Sequence, residues 1–267
     1  MNDIKVSIVS TKAIVGYKNY NLSQLEKFVK SAAKQKSSII CFPELNISGY
    51  CNCEKILTVA ESIPGPSSTK LCELSKENNI TILAGIAEKD HNDNIYASHI
   101  VVQNDKIQVY RKLHLAPPEK NYFTQGNDVA LFKKKNWTFG IQLCYDAHFP
   151  ELSTFMATQG ADIIFFPHAS PLGTSDKKFH SWMRHLTARA YDNSVYVLAC
   201  NQNGNNTAGL DFPGVIMALD PSGNLILKNL TESDNMSTIM LNKNQIKKIR
   251  SHKMRYFLPN RRTDLFC

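Results

Sequence analysis

Residues 37–50 read SSIICFPELNISGY, and the first half of that stretch decides how the chain is built. Ile39, Ile40, Cys41 and Phe42 are apolar at consecutive positions, so a strand here has no face to give to water. Such strands lie between two covering layers. The run ADIIFF at 161–166 has the same character. With strands at 38–42 and 162–166 as anchors, runs rich in Ile, Val, Phe and Tyr predict others at 4–10, 80–87, 95–103, 107–111, 137–143, 194–200, 215–219 and 237–241. Three amphipathic stretches between them predict helices. Residues 21–36 align Leu22, Leu25, Phe28, Val29, Ala32 and Ala33 on one face, and 66–79 repeats the pattern behind Pro66, a residue suited to a first turn. Residues 176–193 offer Phe179, Trp182, Met183, Leu186 and Ala190. Asp93-Asn94 and Pro221-Ser222-Gly223 mark hairpin turns. The alternation is that of an α/β fold. No linker or composition shift divides it, so the reading is one domain over 1–267 with a C-terminal tail from about 243.

Composition narrows the function classes. With 43% hydrophobic and 20% charged residues among 267, the chain is ordinary for a globular protein, which sets aside disorder, collagen and coiled coil. Its longest apolar stretches, such as 81–87, fall far short of the ~20 residues a membrane helix needs, so no membrane partner is expected. The N-terminus alternates in polarity and carries Asp3, as a first strand does and a signal peptide does not. The 31 Lys and Arg exceed the 23 Asp and Glu by eight, but they are dispersed apart from short clusters at 133–135 and 247–250. That charge serves solubility, and no nucleic-acid partner is expected. The seven cysteines are scattered without a CxxC pair, which removes the usual zinc spacing and argues against a disulfide framework. Cys41 and Cys200 read as buried, Cys51 and Cys53 as loop thiols, and the expected compartment is a reducing cytoplasm.

Chemistry concentrates at three strand ends. Glu44 follows the apolar strand and a proline; Lys112 ends a strand in YRKLHLAPPEKNYFTQG, with Glu119 seven residues on; Cys144 ends a strand in GIQLCYDAHFPEL, with Pro150-Glu151 placed to open a helix. Ligands in α/β folds gather at such carboxyl ends. Each residue alone is more often a solvated cap or a core thiol. Together they supply a nucleophile, a proton carrier and electrophilic support: an ammonium and a helix N-terminus favour thiolate, a poorly solvated carboxylate gains basicity, and a cation with a backbone N–H stabilises an oxyanion. His114 and His148 flank these motifs and raise a Cys/His hydrolase as an alternative, while Asp146 reads as a local cap.

FPELNISGY, YRKLHL and CYDAHFPE, in that order, resemble the three motif regions of the nitrilase, or carbon–nitrogen hydrolase, superfamily. The resemblance extends to Trp182 and Ala188-Arg189-Ala190, to FPGVIMALDPSGNLIL as a late hairpin, and to the terminal LPNRRTDLF. It implies a four-layer α-β-β-α sandwich, a homodimer or higher homo-oligomer, and no metal or organic cofactor. It also implies roles: Cys144 as nucleophile, Glu44 as general base, Lys112 as third triad member, Glu119 as a supporting glutamate, and Lys112 with the Tyr145 N–H as the oxyanion hole. Tyr50, His148, His168, Ser170 and Trp182 are the candidate substrate contacts. Three positions depart from the family's pattern: Pro213-Gly214-Val215 in the late hairpin, Ser181 before the tryptophan, and Asp192-Asn193. The implied activity is hydrolysis of a small linear amide or N-carbamoyl compound through a cysteine thioester. A nitrilase, an acyltransferase and a catalytically silent scaffold are the alternatives on the same fold.

Overall fold

A computed structural model describes residues 3–265. In chain order the strands are β1 (Asp3–Ser10), β2 (Ile39–Cys41), β3 (Thr81–Lys89), β4 (Ile95–Gln103), β5 (Lys106–Arg111), β6 (Leu131–Lys134), β7 (Trp137–Ile141), β8 (Ile163–His168), β9 (Tyr196–Asn201), β10 (Gly204–Asn205), β11 (Asp211–Phe212), β12 (Gly214–Leu219), β13 (Leu225–Thr231) and β14 (Asn235–Asn242). The helices are α1 (Lys18–Lys34), α2 (Lys55–Val59), α3 (Pro66–Asn78), α4 (Pro150–Thr158), α5 (Ser175–Asn193) and α6 (Lys243–Arg250).

Two six-stranded sheets, in the orders β14-β1-β2-β3-β4-β5 and β13-β12-β9-β8-β7-β6, lie face to face with helices outside each. Both keep three parallel strands at the centre, β1-β2-β3 and β7-β8-β9, with antiparallel neighbours around them. The period-2 alternation of the first sheet explains the layering. Ile4, Val6 and Ile8 of β1, Ile39 and Cys41 of β2 and Leu83 of β3 point to the second sheet. Ile40, Ile82, Ala84, Ile86 and Ile100 point the other way, onto Leu25, Val29 and Ala32 of α1 and Leu71 and Leu74 of α3. The second sheet is covered by α4 and α5, which add Leu152, Met156, Phe179, Trp182 and Leu186 to the inner cluster. The expected four-layer α-β-β-α sandwich is thus the observed fold.

Local chemistry fixes the ends. Thr174 Oγ1 caps α5 by accepting from the Lys177 N–H at 3.3 Å, and Asn79 closes α3 at φ 49°. Asp220 Oδ1 accepts from the Ser222 and Asn224 N–H groups and turns β12 into β13. The expected tail opens as α6, whose Ile246 joins the inner cluster while Lys243 pairs with Asp162 at 2.8 Å. Six elements were not among the strands and helices expected: the edge strands β6 and β13, the two-residue strands β10 and β11, the five-residue α2, and α6 within the tail. Cys41 and Cys200 are buried, as expected; Cys51 is buried as well, and Cys53 half-buried. Cys267 lies outside the described residues. Among the described residues no helix is long and apolar enough to cross a membrane.

Candidate active site

The carboxyl ends of β2, β5, β7, β8 and β9 converge, and the polar residues just past them meet there. Beyond β2 the chain turns at Leu45, with φ 52°, directly over β3. Gly85 makes this approach feasible: a Cβ at that position would lie 3.0 Å from the Glu44 carbonyl carbon and closer still to the Leu45 nitrogen. Side chains of the turn then take over the sheet's pairing, since Asn46 Oδ1 accepts from the Gly85 N–H at 2.8 Å and Ser48 Oγ from the Ala87 N–H at 3.0 Å. Glu44 is delivered with both ends held. Gln202 Nε2 donates to its carbonyl at 2.8 Å, and the Ala169 N–H donates to its Oε2 at 3.0 Å.

Lys112 follows β5, and its Nζ donates to Glu44 Oε1 and to Glu119 Oε1, both at 2.8 Å. Glu119 closes a short helical turn, Pro117–Glu119; its Oε2 accepts from the Ala116 N–H at 2.8 Å and its Oε1 from Tyr50 Oη at 3.2 Å. Glu44 and Lys112 are fully buried and Glu119 nearly so. Satisfying a buried ammonium with two carboxylates, each further hydrogen-bonded, is what makes such a cluster tolerable away from water.

Cys144 opens a tight turn, Cys144–His148, at φ 43°, in the left-handed region rarely used by residues other than glycine. Asp146 holds this turn. Its buried carboxylate accepts from the Leu143 N–H at 2.9 Å, the His114 N–H at 2.8 Å and Tyr110 Oη at 2.8 Å, and lies 2.9 Å from His114 Nδ1. Arg189 Nε adds a bond to the Ala147 carbonyl at 3.1 Å. Asp146 is therefore a cap, as expected, but one that joins two motif regions.

Charge is shared across the cluster. Burial raises Glu44 to about 7, with Lys112 opposing the rise and Glu119 adding to it. Burial also works against the Lys112 charge, but the two carboxylates overcome it and keep the ammonium protonated. For Cys144, burial and then Glu44 push the thiol up against the pull of Lys112. This differs from the expectation of a favoured thiolate: burial first, and then the two carboxylates, outweigh the single cation.

The other candidates are placed as follows. Tyr50 is buried against Phe212 and reaches the cluster through Glu119. His168 and Trp182 are buried and stacked with centroids 4.0 Å apart, and burial keeps the His168 ring neutral while its Nδ1 lies 2.8 Å from the Phe166 carbonyl. The Ser170 N–H donates to Asn201 Oδ1 at 2.9 Å, and its Oγ accepts from Lys178 Nζ at 2.8 Å. Tyr145 is half-buried, its ring edge-on to His148 and Phe149. His148 is exposed and leans on His185, whereas His114 stacks on Phe149 at 3.8 Å. Among the described residues no hydrogen bond joins Cys144 to either flanking histidine, and no group of three or more His, Cys, Asp or Glu is placed to hold a metal ion. Ala169, Gln202, Asn201, Tyr110 and Lys178 were not foreseen. Only Asn201 and Gln202 left a signal, as polar residues directly after an apolar run.

A family model described as carbon-nitrogen hydrolase matches residues 6–251. A protein named nitrilase from Pyrococcus abyssi is 31% identical over 228 residues, covering 84% of each chain. The mouse protein named omega-amidase NIT2 is 27% identical over 278 residues, covering 100% of this chain and 98% of that one. The crystal structure of Saccharomyces cerevisiae Nit3, described as a member of branch 10 of the nitrilase superfamily, superposes with a TM-score of 0.84 at 25% identity, over 96% of this chain and 97% of the other.

Proposed function

Since the chain belongs to the carbon–nitrogen hydrolase family, we propose that it hydrolyses a small linear amide or N-carbamoyl compound through a thioester on Cys144. One observation carries this reading: Lys112 bridges Glu44 and Glu119 at 2.8 Å each, in a buried cluster whose charges act on the Cys144 sulfur.

Covalent catalysis then runs in two halves. As Sγ attacks the amide carbon, its proton passes to Glu44, whose basicity near neutral pH suits both taking and returning it. The S–C bond forms, and the carbonyl electrons move onto oxygen, where Lys112 and the Tyr145 N–H donate. Collapse breaks the C–N bond, and Glu44 returns the proton to the departing nitrogen. Water attacks the thioester while giving a proton to Glu44; the S–C bond breaks, the acid leaves and the proton goes back to sulfur. Glu119 keeps Lys112 charged and aimed throughout. A panel of amides, carbamoyl amines and nitriles, scored by ammonia release and by the mass of trapped Cys144, tests this. An acyl adduct that disappears in Cys144→Ala supports it; no adduct and no turnover with any class overturns it.

Identity to a protein named nitrilase supports a second reading, in which a nitrile is attacked and a thioimidate precedes the thioester. We further propose a homodimer or higher homo-oligomer, supported by Phe155 of α4 and Tyr191 of α5 standing exposed on the outer helical layer, and a reducing cytoplasmic setting, which keeps the nucleophile a thiol.

A further inference from the structure

Cys51 and Cys53 carry sulfur that the chemistry above leaves unused, and of the seven cysteines only these stand within two residues of each other. Cys51 is buried in an apolar cluster with Tyr50, Leu115, Phe123, Ala169 and Phe212. Cys53 is half-buried against that cluster, and Asn52 between them is exposed. The backbone bends at 52 and 53, and Cys51 Sγ turns toward the later residue, 3.9 Å from the Cys53 carbonyl oxygen. Cα atoms two residues apart lie within about 7 Å of each other, and a disulfide spans about 4.4–6.8 Å. Reach is therefore no obstacle to closing the pair. Its surroundings lead to the reacting groups. Tyr50 directly precedes Cys51; its Oη donates to Glu119 Oε1 at 3.2 Å, and its carbonyl accepts from Asn206 Nδ2 at 2.7 Å. Ala169 of the same cluster gives its N–H to Glu44 Oε2.

We propose that Cys51 and Cys53 are a dithiol site for exchange with small disulfides, and that closing it lowers turnover by drawing Cys51 from the cluster and Tyr50 from Glu119. The more exposed thiol acts first. Cys53 loses its proton to solvent, and its sulfur attacks one sulfur of the incoming disulfide, whose S–S bond breaks to release a thiolate that solvent protonates. Cys51 then yields its own proton, and its sulfur displaces the second small thiol from Cys53. Two protein thiols have become a disulfide, and the small disulfide has become two thiols. Burial, and then the Cys53 thiol beside it, push Cys51 up to about 12, which keeps it from reacting ahead of its partner. In a reducing compartment the pair rests as the dithiol and closes transiently. The exchange needs nothing from the hydrolase reading; its effect on rate rests on that reading.

The probe is hydroxyethyl disulfide, which is neutral and contains no amide. The full chain, treated with it, alkylated and digested, is expected to lose the two thiol hydrogens of the peptide holding Cys51 and Cys53. Cys51→Ser is expected to carry one hydroxyethylthio group on Cys53 instead, and Cys53→Ser to show neither change. Treated wild type should lose about 10-fold in kcat, the order expected for one hydrogen bond to a carboxylate, and recover it with dithiothreitol. Cys53→Ser should start at the wild-type rate and keep it, apart from any share modified at Cys144, whose mass is read in the same digest. Tyr50→Phe should fall by a similar factor and lose little more on treatment, a non-additivity that a purely structural role would not produce. An unreacted Cys51–Cys53 pair, an equal fall in Cys53→Ser, or a closed pair with unchanged kcat would overturn the assignment. The mass comparison needs no turnover, so an untreated chain silent toward every amide would overturn the hydrolase reading while the dithiol site still stood or fell on its own masses.

Discussion

Tyr110 Oη donates to Asp146 Oδ2 at 2.8 Å, and each of these residues stands two positions from a group it serves: Tyr110 from Lys112, Asp146 from Cys144. The bond ties the end of β5 to the turn after β7, one from each sheet. Tyr110→Phe keeps the ring and removes the tie, leaving Asp146 with the Leu143 and His114 donors. The expected cost is about 1–2 kcal/mol in chemical denaturation. Steady-state kinetics should show kcat falling several-fold with KM nearly constant, because the loss concerns alignment of the reacting groups.

Lys112→Met leaves two carboxylates buried without their common cation. Removing one partner from a buried ionic cluster costs about 3–5 kcal/mol, read as a lower unfolding midpoint. Loss of the proposed oxyanion donor is expected to lower kcat by about 10²–10³. Adding Glu44→Gln should recover part of the stability and none of the activity, a double-variant comparison that separates charge burial from catalysis.

As the proposed general base, Glu44 is expected to set the acid limb of the rate profile. Its pKa is near 7, so below that value it is protonated and cannot accept the Cys144 proton. The kcat/KM is expected to fall about tenfold per pH unit on the acid side of neutrality. Stability takes the opposite sign. The folded state holds the Glu44 proton up to about 7, whereas the unfolded chain releases it near 4.5. Glu44 therefore stabilises most below 4.5, and that contribution is lost as pH rises through 7. Thermal unfolding across this window should decline less with pH in Glu44→Gln than in the wild type.

Gly85→Ala forces a methyl group against the main chain of Glu44 and Leu45, which are backbone atoms that cannot rotate away. Overpacking of this kind costs about 1–3 kcal/mol. Because the displaced segment carries the proposed base, activity is expected to fall further than stability does, as judged by kcat at a temperature where circular dichroism still reports a folded chain.

How much of this was legible in the sequence depends on the range of the interaction. Residues 38–42 and 162–166 announced buried strands because both faces are apolar, and Glu44, Lys112 and Cys144 announced themselves as functional groups just past such strands. The edge strands were less visible: β6 carries Lys133 and Lys134, and β13 is largely exposed, so neither shows the apolar pattern of a central strand. The supports of the site were hidden for another reason. Gln202 meets the Glu44 carbonyl across 158 residues of chain, and Ala169 contributes only its N–H, which every residue but proline possesses. Lys178 reads as a solvent-facing helix lysine until the 170–171 segment folds over its ammonium.

The proposed active centre has no home in either sheet alone. Glu44 and Lys112 belong to the first, and Cys144, Ala169 and Gln202 to the second. Turnover is for that reason a gauge of how the two halves of the sandwich are seated. A slip of about an ångström between them would silence the enzyme while each sheet still kept its own ladder of backbone bonds, so heat should extinguish hydrolysis before it erases secondary structure.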